Sequence, residues 1–279
     1  MKIKQYWMLA ILLAVALLTF TSCETAPTRP EAAAVTPAGP GRSVVEWPVG
    51  ITKFIPEKCY NGFTLWCSLT GDGTVHLMDM RGKDVHKWKM PYQPGLDGRL
   101  LENGNLIYSG RTTQGYGWGK YPMSGKGGAV LEVDWDGKTV TRFFQHNAHH
   151  SVSDKLPNGN YLLILWEPVP KNKVHLVKGG LQATKFEDGT IFGEIIAEVD
   201  PKGNIVWSWN ASDHLNFDEY PICPLNDRYE WLHINAARYL PADNPITRTE
   251  SIMVSMRHNS IVAIFEKATG KVQWRYGGC

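Results

Sequence analysis

The chain has 279 residues, of which 43% are hydrophobic and 20% are charged, and its formal net charge is +2. A charge this balanced gives no electrostatic basis for binding a polyanion, so we expect no nucleic-acid partner. The length and the hydrophobic fraction are sufficient for one sizeable core.

Residues 1–23 have the pattern of a bacterial lipoprotein signal peptide. A basic start is followed by an apolar run from Trp7 to Phe20 and by a small residue before Cys23. The apolar run is short for a membrane-spanning helix of about 20 residues. We therefore predict lipidation of Cys23 and an exported protein, periplasmic or on the cell surface, anchored to a bacterial membrane by its lipid. A plain signal peptide cut nearby and an uncleaved anchor are the alternatives.

The rest of the chain divides by composition. Residues 24–45 are rich in Pro and Ala and are predicted to be a tether, because nothing in them could form a core. Residues 46–279 are predicted to form one globular domain. An oxidising compartment permits, but does not require, disulfides among its four cysteines, with three complete connectivities. No pair has C-x-x-C spacing, so we expect no metal site. The four are Cys59, Cys67, Cys223 and Cys279.

A repeat of strand patterns runs through the domain. Each copy has a β-branched run, a turn beginning at an acidic residue and a second run ending in an aromatic residue, and most copies add a hairpin with Asn-Gly or a similar turn. The acidic residues lie 55, 66 and 66 positions apart, and they are Asp79, Asp134, Asp200 and Glu266. Two hairpins supply four strands, which is the content of one propeller blade.

These repeats predict an all-β fold, a β-propeller of four-stranded blades. A β-sandwich is the alternative, but a sandwich has no reason to repeat the same turn residues at this period. We count three complete units, a strand from Thr64 to Ser68 before them, and half of another unit after them. The domain is therefore predicted to be an incomplete ring, with residue 279 before the natural end of the fold.

Several ordered segments resemble the bacterial arylsulfate sulfotransferases. They are Gly98-Arg-Leu-Leu-Glu-Asn-Gly-Asn105, His149-His-Ser-Val-Ser-Asp-Lys-Leu-Pro-Asn-Gly-Asn160, Trp231-Leu-His-Ile-Asn235 and Val272-Gln-Trp-Arg-Tyr-Gly-Gly278. The resemblance implies a six-bladed propeller, of which this chain holds a part. It also implies transfer of a sulfuryl group from a phenolic sulfate ester to a phenolic acceptor through a sulfohistidine intermediate. No cofactor and no nucleotide sulfate donor are implied.

The resemblance also implies site residues. His150 matches the first active-site His of the family, with His149 as the alternative register. His233 and Asn235 match its His-x-Asn pair, and Arg257 matches its active-site Arg. The nucleophilic His of the family falls beyond Cys279, so this chain by itself is predicted to show little or no activity.

The residue types suit this chemistry independently of the resemblance. A sulfate ester carries one negative charge over three oxygens, and its transfer should depend on positioning and charge stabilisation, as phosphoryl transfer does. The planar guanidinium of Arg257 remains charged and suits an oxyanion. Imidazoles such as those of His150 and His233 can add hydrogen-bond donors.

Tyr116 and Trp118, in a segment rich in Gly and aromatic residues, are candidates for substrate binding together with His149; a flexible connecting loop is the alternative. The other His residues, including His258, are interpreted as surface or hydrogen-bonded residues. A non-catalytic surface propeller that binds a ligand or protein partner is the main functional alternative. A propeller enzyme of different chemistry, such as a quinone-dependent dehydrogenase, is a further one. The sequence predicts no oligomeric state.

Overall fold

The computed structural model describes residues 50–279, apart from the side chains of Asp97 and Ser151. The predicted signal peptide, the predicted lipidation site Cys23 and the predicted tether therefore lie outside the described residues. Within these limits the chain is all-β, and its one α-helix, α1, is the single turn Ala211–His214. None of the described helices is long and apolar enough to cross a bilayer.

Seventeen strands and three short 3-10 helices make up the rest of the regular structure of residues 50–279. The 3-10 helices are Pro56–Lys58, Val174–Leu176 and Gln182–Thr184. The strands are β1 (Thr64–Cys67), β2 (Thr74–Met78), β3 (Asp84–Lys89), β4 (Pro94–Leu100), β5 (Leu106–Arg111), β6 (Gly128–Val133), β7 (Thr139–Phe144), β8 (Ala148–Lys155), β9 (Tyr161–Pro168), β10 (Gly179–Leu181), β11 (Phe192–Val199), β12 (Ile205–Asn210), β13 (Ile222–Asp227), β14 (Ile234–Leu240), β15 (Ser251–Met256), β16 (Ile261–Glu266) and β17 (Val272–Gly277).

The long strands form four antiparallel sheets that follow one another along the chain. The first has three strands, in the order β1-β2-β3, and the next three have four strands each, in the orders β4-β5-β6-β7, β12-β11-β9-β8 and β14-β15-β16-β17. A parallel pair, β10 with β13, lies apart from these sheets. The predicted hairpins at the acidic turns are all present, as β2–β3, β6–β7, β11–β12 and β16–β17.

The division of the hairpins into sheets differs from the prediction. The repeat predicted that each acidic-turn hairpin shares a sheet with the Asn-Gly hairpin that follows it. In the structure each Asn-Gly hairpin joins the acidic-turn hairpin after it, because β5 pairs with β6 and β15 pairs with β16. Turn residues specify a hairpin but not its neighbour, since both hairpin types have apolar strands of similar length. The hairpin β16–β17, predicted to begin a further unit, instead completes the fourth sheet.

Successive sheets pack against each other and bury both faces of their inner strands. In β5 the side chains of Leu106 and Tyr108 pack with Val75 of the first sheet, whereas Ile107 packs with Leu163 of the third. Because neighbouring residues of a strand face opposite ways, both sets must be apolar. This explains why the central strands are continuous apolar runs.

Candidate functional site

The site lies where β8 and β14 depart from regular pairing. In β8, Ala148 pairs with Leu165 and Val152 pairs with Leu163, so three residues of β8 face one residue of β9. His149 and His150 fall in this bulge, and His150 takes a left-handed φ of 60° while its amide N–H donates to the carbonyl of Gly125 at 2.6 Å. Bulges redirect side chains and are common beside active sites.

The second half of the site is built around the start of β14. His233 precedes this strand with a φ of 50°, and its carbonyl accepts a hydrogen bond from the amide of Arg257 at 3.0 Å. Asn235 falls in a second bulge, because the pairing of β14 with β15 shifts between Ile234 and Ala236. Two non-glycine residues with positive φ are unusual, and such strain concentrates at functional positions.

The structure brings the two predicted His residues into contact. The Nε2 atoms of His150 and His233 lie 3.2 Å apart, and both rings are buried. Two ring nitrogens at this distance require one proton between them, so one imidazole donates and the other accepts. The side chain of Asn235 lies beside the His150 ring and acts to raise its pKa, against the larger effect of burial. Three of the four residues predicted to be catalytic therefore meet at one point.

Arg257 is exposed, on the outer side of the contact between His150 and His233. Its guanidinium donates a hydrogen bond to Nε2 of His258 at 3.1 Å. His258 must then carry its proton on Nδ1, which donates to the carbonyl of Glu230 at 2.7 Å. The buried ring of His258 stacks on His233 at 4.9 Å. His258 thus connects Arg257 to the buried cluster, whereas the sequence had predicted only a surface or hydrogen-bonded residue.

His149 is fully buried behind the other two His residues. Its ring stacks on His150 on one side and on Trp166 on the other, with centroids 4.0 and 4.4 Å away. Its two nitrogens lie 3.6 Å from the carboxylates of Glu194 and Glu230 and form no hydrogen bond. The substrate-binding role proposed for His149 stays a prediction, and this burial favours a supporting role instead.

Two buried carboxylates complete the cluster. Glu230 accepts hydrogen bonds from Nδ1 of His233 and from Nε1 of Trp166, each at 2.7 Å. Glu194 accepts from the amide of Ile234 at 3.1 Å. Sequence reasoning missed both, although each had a signal: Glu194 interrupts an apolar strand, and Glu230 precedes His233 by three residues.

The environments of these groups set their charges. Burial lowers the pKa of His149 to about 3 and that of His150 to about 2. Burial, reinforced by the charge of Glu230, raises the pKa of Glu194 well above its usual range. Burial also opposes ionisation of Glu230, but His149 and the hydrogen bond from His233 together hold the pKa of its carboxyl below its usual range. The cluster therefore contains a neutral and an ionised carboxyl group.

The predicted aromatic segment lies against the same cluster. Tyr116 packs against Phe192 with ring centroids 5.2 Å apart, and the ammonium of Lys126 lies 4.1 Å from the ring centroid of Trp118. A Cβ on Gly117 would lie 2.8 Å from the ring of Trp166, which itself covers His149. The segment is thus part of the wall around the His residues.

His and Glu side chains of this kind could also hold a cation. Among the described residues, three overlapping groups of side chains have ligand atoms within 4.8 Å of one another. The lack of C-x-x-C spacing, from which no metal site was expected, has no bearing on these groups, because they contain no cysteine. They are His149 with His150 and His233, Glu230 with His233 and His258, and His149 with Glu194 and Glu230. The guanidinium of Arg257, bonded to His258, places a positive charge beside them and favours an anion instead.

Comparisons with known proteins give one family. The chain matches none of the curated proteins. Among solved structures it is similar to a Bacteroides caccae protein of unknown function, at 11% identity and a TM-score of 0.40, over 79% of this chain and 59% of that one. It is also similar to Kuenenia stuttgartiensis hydrazine synthase, at 14% identity and a TM-score of 0.39, over 70% of this chain and 46% of that one. The family model described as arylsulfotransferase (ASST) matches residues 53–278.

Proposed function

This chain belongs to the arylsulfotransferase family, and we propose that it is an aryl-sulfate sulfotransferase. In this proposal the sulfuryl group of the substrate is held by His150, His233, Asn235 and Arg257. The observation that carries this proposal is the convergence of His150 and His233, whose Nε2 atoms lie 3.2 Å apart, beside the guanidinium that contacts His258. A cation and several N–H donors around one point suit a group with three charged oxygens.

The proposed reaction needs no redox partner. An imidazole nitrogen attacks the sulfur, an S–N bond forms as the S–O bond to the donor phenol breaks, and the phenolate leaves with the bonding electron pair. An acceptor phenol then attacks the sulfur, loses its proton and regenerates the imidazole. Arg257 and the His donors would balance charge on the sulfuryl oxygens in both steps. The resemblance matches the sulfuryl-accepting His to no residue of this sequence.

We further propose that the four consecutive sheets are blades of a propeller. Stacking in chain order, with a core between each sheet and the next, supports this arrangement. His150 lies in β8 and His233 immediately precedes β14, and each of these strands is the first of its sheet in the chain. Equivalent strands of successive blades would meet at the propeller axis, which would place both His residues there.

Binding of an aryl sulfate tests the anion site directly. We expect the full chain to bind p-nitrophenyl sulfate, measured by calorimetry, and Arg257→Ala to raise its Kd about tenfold or more. A charge-assisted hydrogen bond contributes roughly 1.5–3 kcal/mol, and 1.4 kcal/mol is a factor of ten. Arg81→Ala, in the exposed turn between β2 and β3, is the matched control and should leave Kd unchanged.

Turnover is a second measurement on the chain. With p-nitrophenyl sulfate and a phenol acceptor we expect little or no product, because the resemblance matches no residue of this sequence to the nucleophile, so binding decides between the anion site and the non-catalytic alternative. Absence of binding by the wild-type chain, or equal binding by Arg257→Ala, would contradict the proposed site. Binding of a protein partner that is unaffected by aryl sulfate would favour the non-catalytic alternative.

A further inference from the structure

Glu230 is the most connected side chain of the buried cluster. Its two carboxylate oxygens accept from His233 and Trp166, and its backbone carbonyl accepts from His258. It is 1% exposed. A carboxylate buried to this extent is costly unless it is paired, so its position calls for a physical explanation.

We propose that Glu230 is a positioning residue for the sulfuryl site: its carboxylate fixes a proton of His233 on Nδ1 and holds the orientation of that ring, so that Nε2 faces His150 and the sulfate ester. This inference rests on the proposed function. It assigns a role to a residue that no family motif identified in the sequence.

Hydrogen-bond geometry fixes the tautomer. A carboxylate only accepts, so the 2.7 Å contact requires the proton on Nδ1 of His233. The other ring nitrogen, Nε2, is thereby directed towards Nε2 of His150. A carboxylate that accepts from one imidazole nitrogen orients the ring and fixes its tautomer, as in acid–base triads.

The other ionisable groups that face His233 do not compete for this role. His149 and His150 come from β8, and burial keeps both neutral at neutral pH by lowering their pKa values. His258, from the segment after β15, is likewise neutral because burial lowers its pKa. Arg257 beside it stays charged.

On β11, Glu194 is neutral because burial raises its pKa. It holds the backbone at Ile234 instead of the His233 ring. The carboxylate of Glu230 is therefore the negative charge that faces the imidazole of His233.

The variant Glu230→Gln tests this inference. Glutamine has nearly the same shape, but its amide has one acceptor oxygen where the carboxylate has two, so it cannot accept from both His233 and Trp166. We expect the affinity for p-nitrophenyl sulfate at pH 7 to fall about tenfold, because the amide holds the ring of His233 less firmly. In the NMR spectra of this variant, the proton of His233 should no longer lie on Nδ1 alone. Glu230→Asp, which retains the charge, should restore part of the affinity.

Glu132→Gln is the matched control. Glu132 is also 1% exposed, and it accepts hydrogen bonds from Asn105 and Tyr161 and from the ammonium of Lys155, all away from the His cluster. It should lose stability and keep full affinity for p-nitrophenyl sulfate. An equal loss of affinity in this control would show that Glu230→Gln acts through general destabilisation, and would overturn the inference.

A measurement on the wild-type chain avoids any dependence on the variant's folding. Long-range proton–nitrogen NMR of the imidazoles, assigned with His233→Asn, should show the proton of His233 on Nδ1. Finding it on Nε2 alone, or finding unchanged affinity in a folded Glu230→Gln, would overturn the role of Glu230 while aryl sulfate binding still supports the proposed function. Failure of the wild type to bind aryl sulfate would instead remove the proposed function itself.

Discussion

Among single residues, Gly125 matters because the absence of a side chain leaves room for the imidazole ring of His150. A Cβ at this position would lie 2.5 Å from Cε1 of His150 and 2.8 Å from Nδ1, and the backbone φ is +80°. We therefore expect Gly125→Ala to displace the imidazole and to weaken p-nitrophenyl sulfate binding about tenfold or more. The left-handed backbone should add a loss of stability of roughly 1–2 kcal/mol.

Gly159→Ala separates these two effects. Gly159 has a similar φ of +87°, but a Cβ there would meet no atom within 4 Å. Its alanine variant should lose comparable stability in urea unfolding and keep full affinity. Equal affinities in the two variants would show that the position of His150 does not control binding.

At the scale of elements, a lysine and a glutamate join neighbouring sheets twice. Lys155, at the end of β8, contacts Glu132 of β6, and Lys267, after β16, contacts Glu198 of β11 at 2.8 Å. Asn158 and Asn160 also donate to Glu198. The repetition indicates that these buried pairs fix how one sheet docks on the next.

Removal of one partner should therefore destabilise the docking of the third and fourth sheets. Burial opposes the charge of Glu198, and the bond from Lys267 helps to hold the pKa of its carboxyl below its usual range. We expect Lys267→Met to leave a buried carboxylate less well paired and to reduce the free energy of unfolding by roughly 1–3 kcal/mol at pH 7.

The effect should be pH-dependent. A carboxyl pKa that is depressed by folding gives stability that is present above the unfolded value and is lost as the pH falls through the folded one. The difference between wild type and Lys267→Met should thus shrink on acidification. Lys178→Met is the control, since its pair with Asp218 is exposed and should contribute less than about 1 kcal/mol. Equal losses in the two variants at pH 7 would contradict the docking role.

At the scale of the whole molecule, one disulfide joins the last sheet to an earlier segment. Cys223, in β13, bonds to Cys279, just after β17, across a sequence separation of 56. Such a crosslink restricts the unfolded chain, and a loop of this length contributes roughly 4 kcal/mol in the chain-entropy model. We expect a reducing agent or Cys223→Ser to lower the urea midpoint accordingly.

Cys59→Ser serves as the control, because Cys59 is exposed and not part of the disulfide. It should unfold as the wild type does and should respond to the reductant in the same way. A wild-type midpoint that does not change on reduction would show that this bond is absent in solution or does not contribute to stability.

Local sequence patterns were enough to predict the hairpins and to indicate candidate site residues. Acidic and Asn-Gly turns are local signals, so β2–β3 and its three counterparts followed from residues close together in the chain. The family resemblance, carried by ordered motifs, was confirmed by the match over residues 53–278. His150, His233 and Asn235 came from the same motifs, and the structure places them together.

The pairing of hairpins into sheets and the side chains that surround His150 and His233 became known only from the folded structure. Sheet partnership depends on pairing between strands such as β5 and β6, which the apolar pattern leaves open because both faces are buried. Glu194, Glu230 and His258 come from different elements, and no local spacing reports that they surround His233. Cysteine pairing was likewise open, because it depends on the distance between Cys223 and Cys279 in the folded chain.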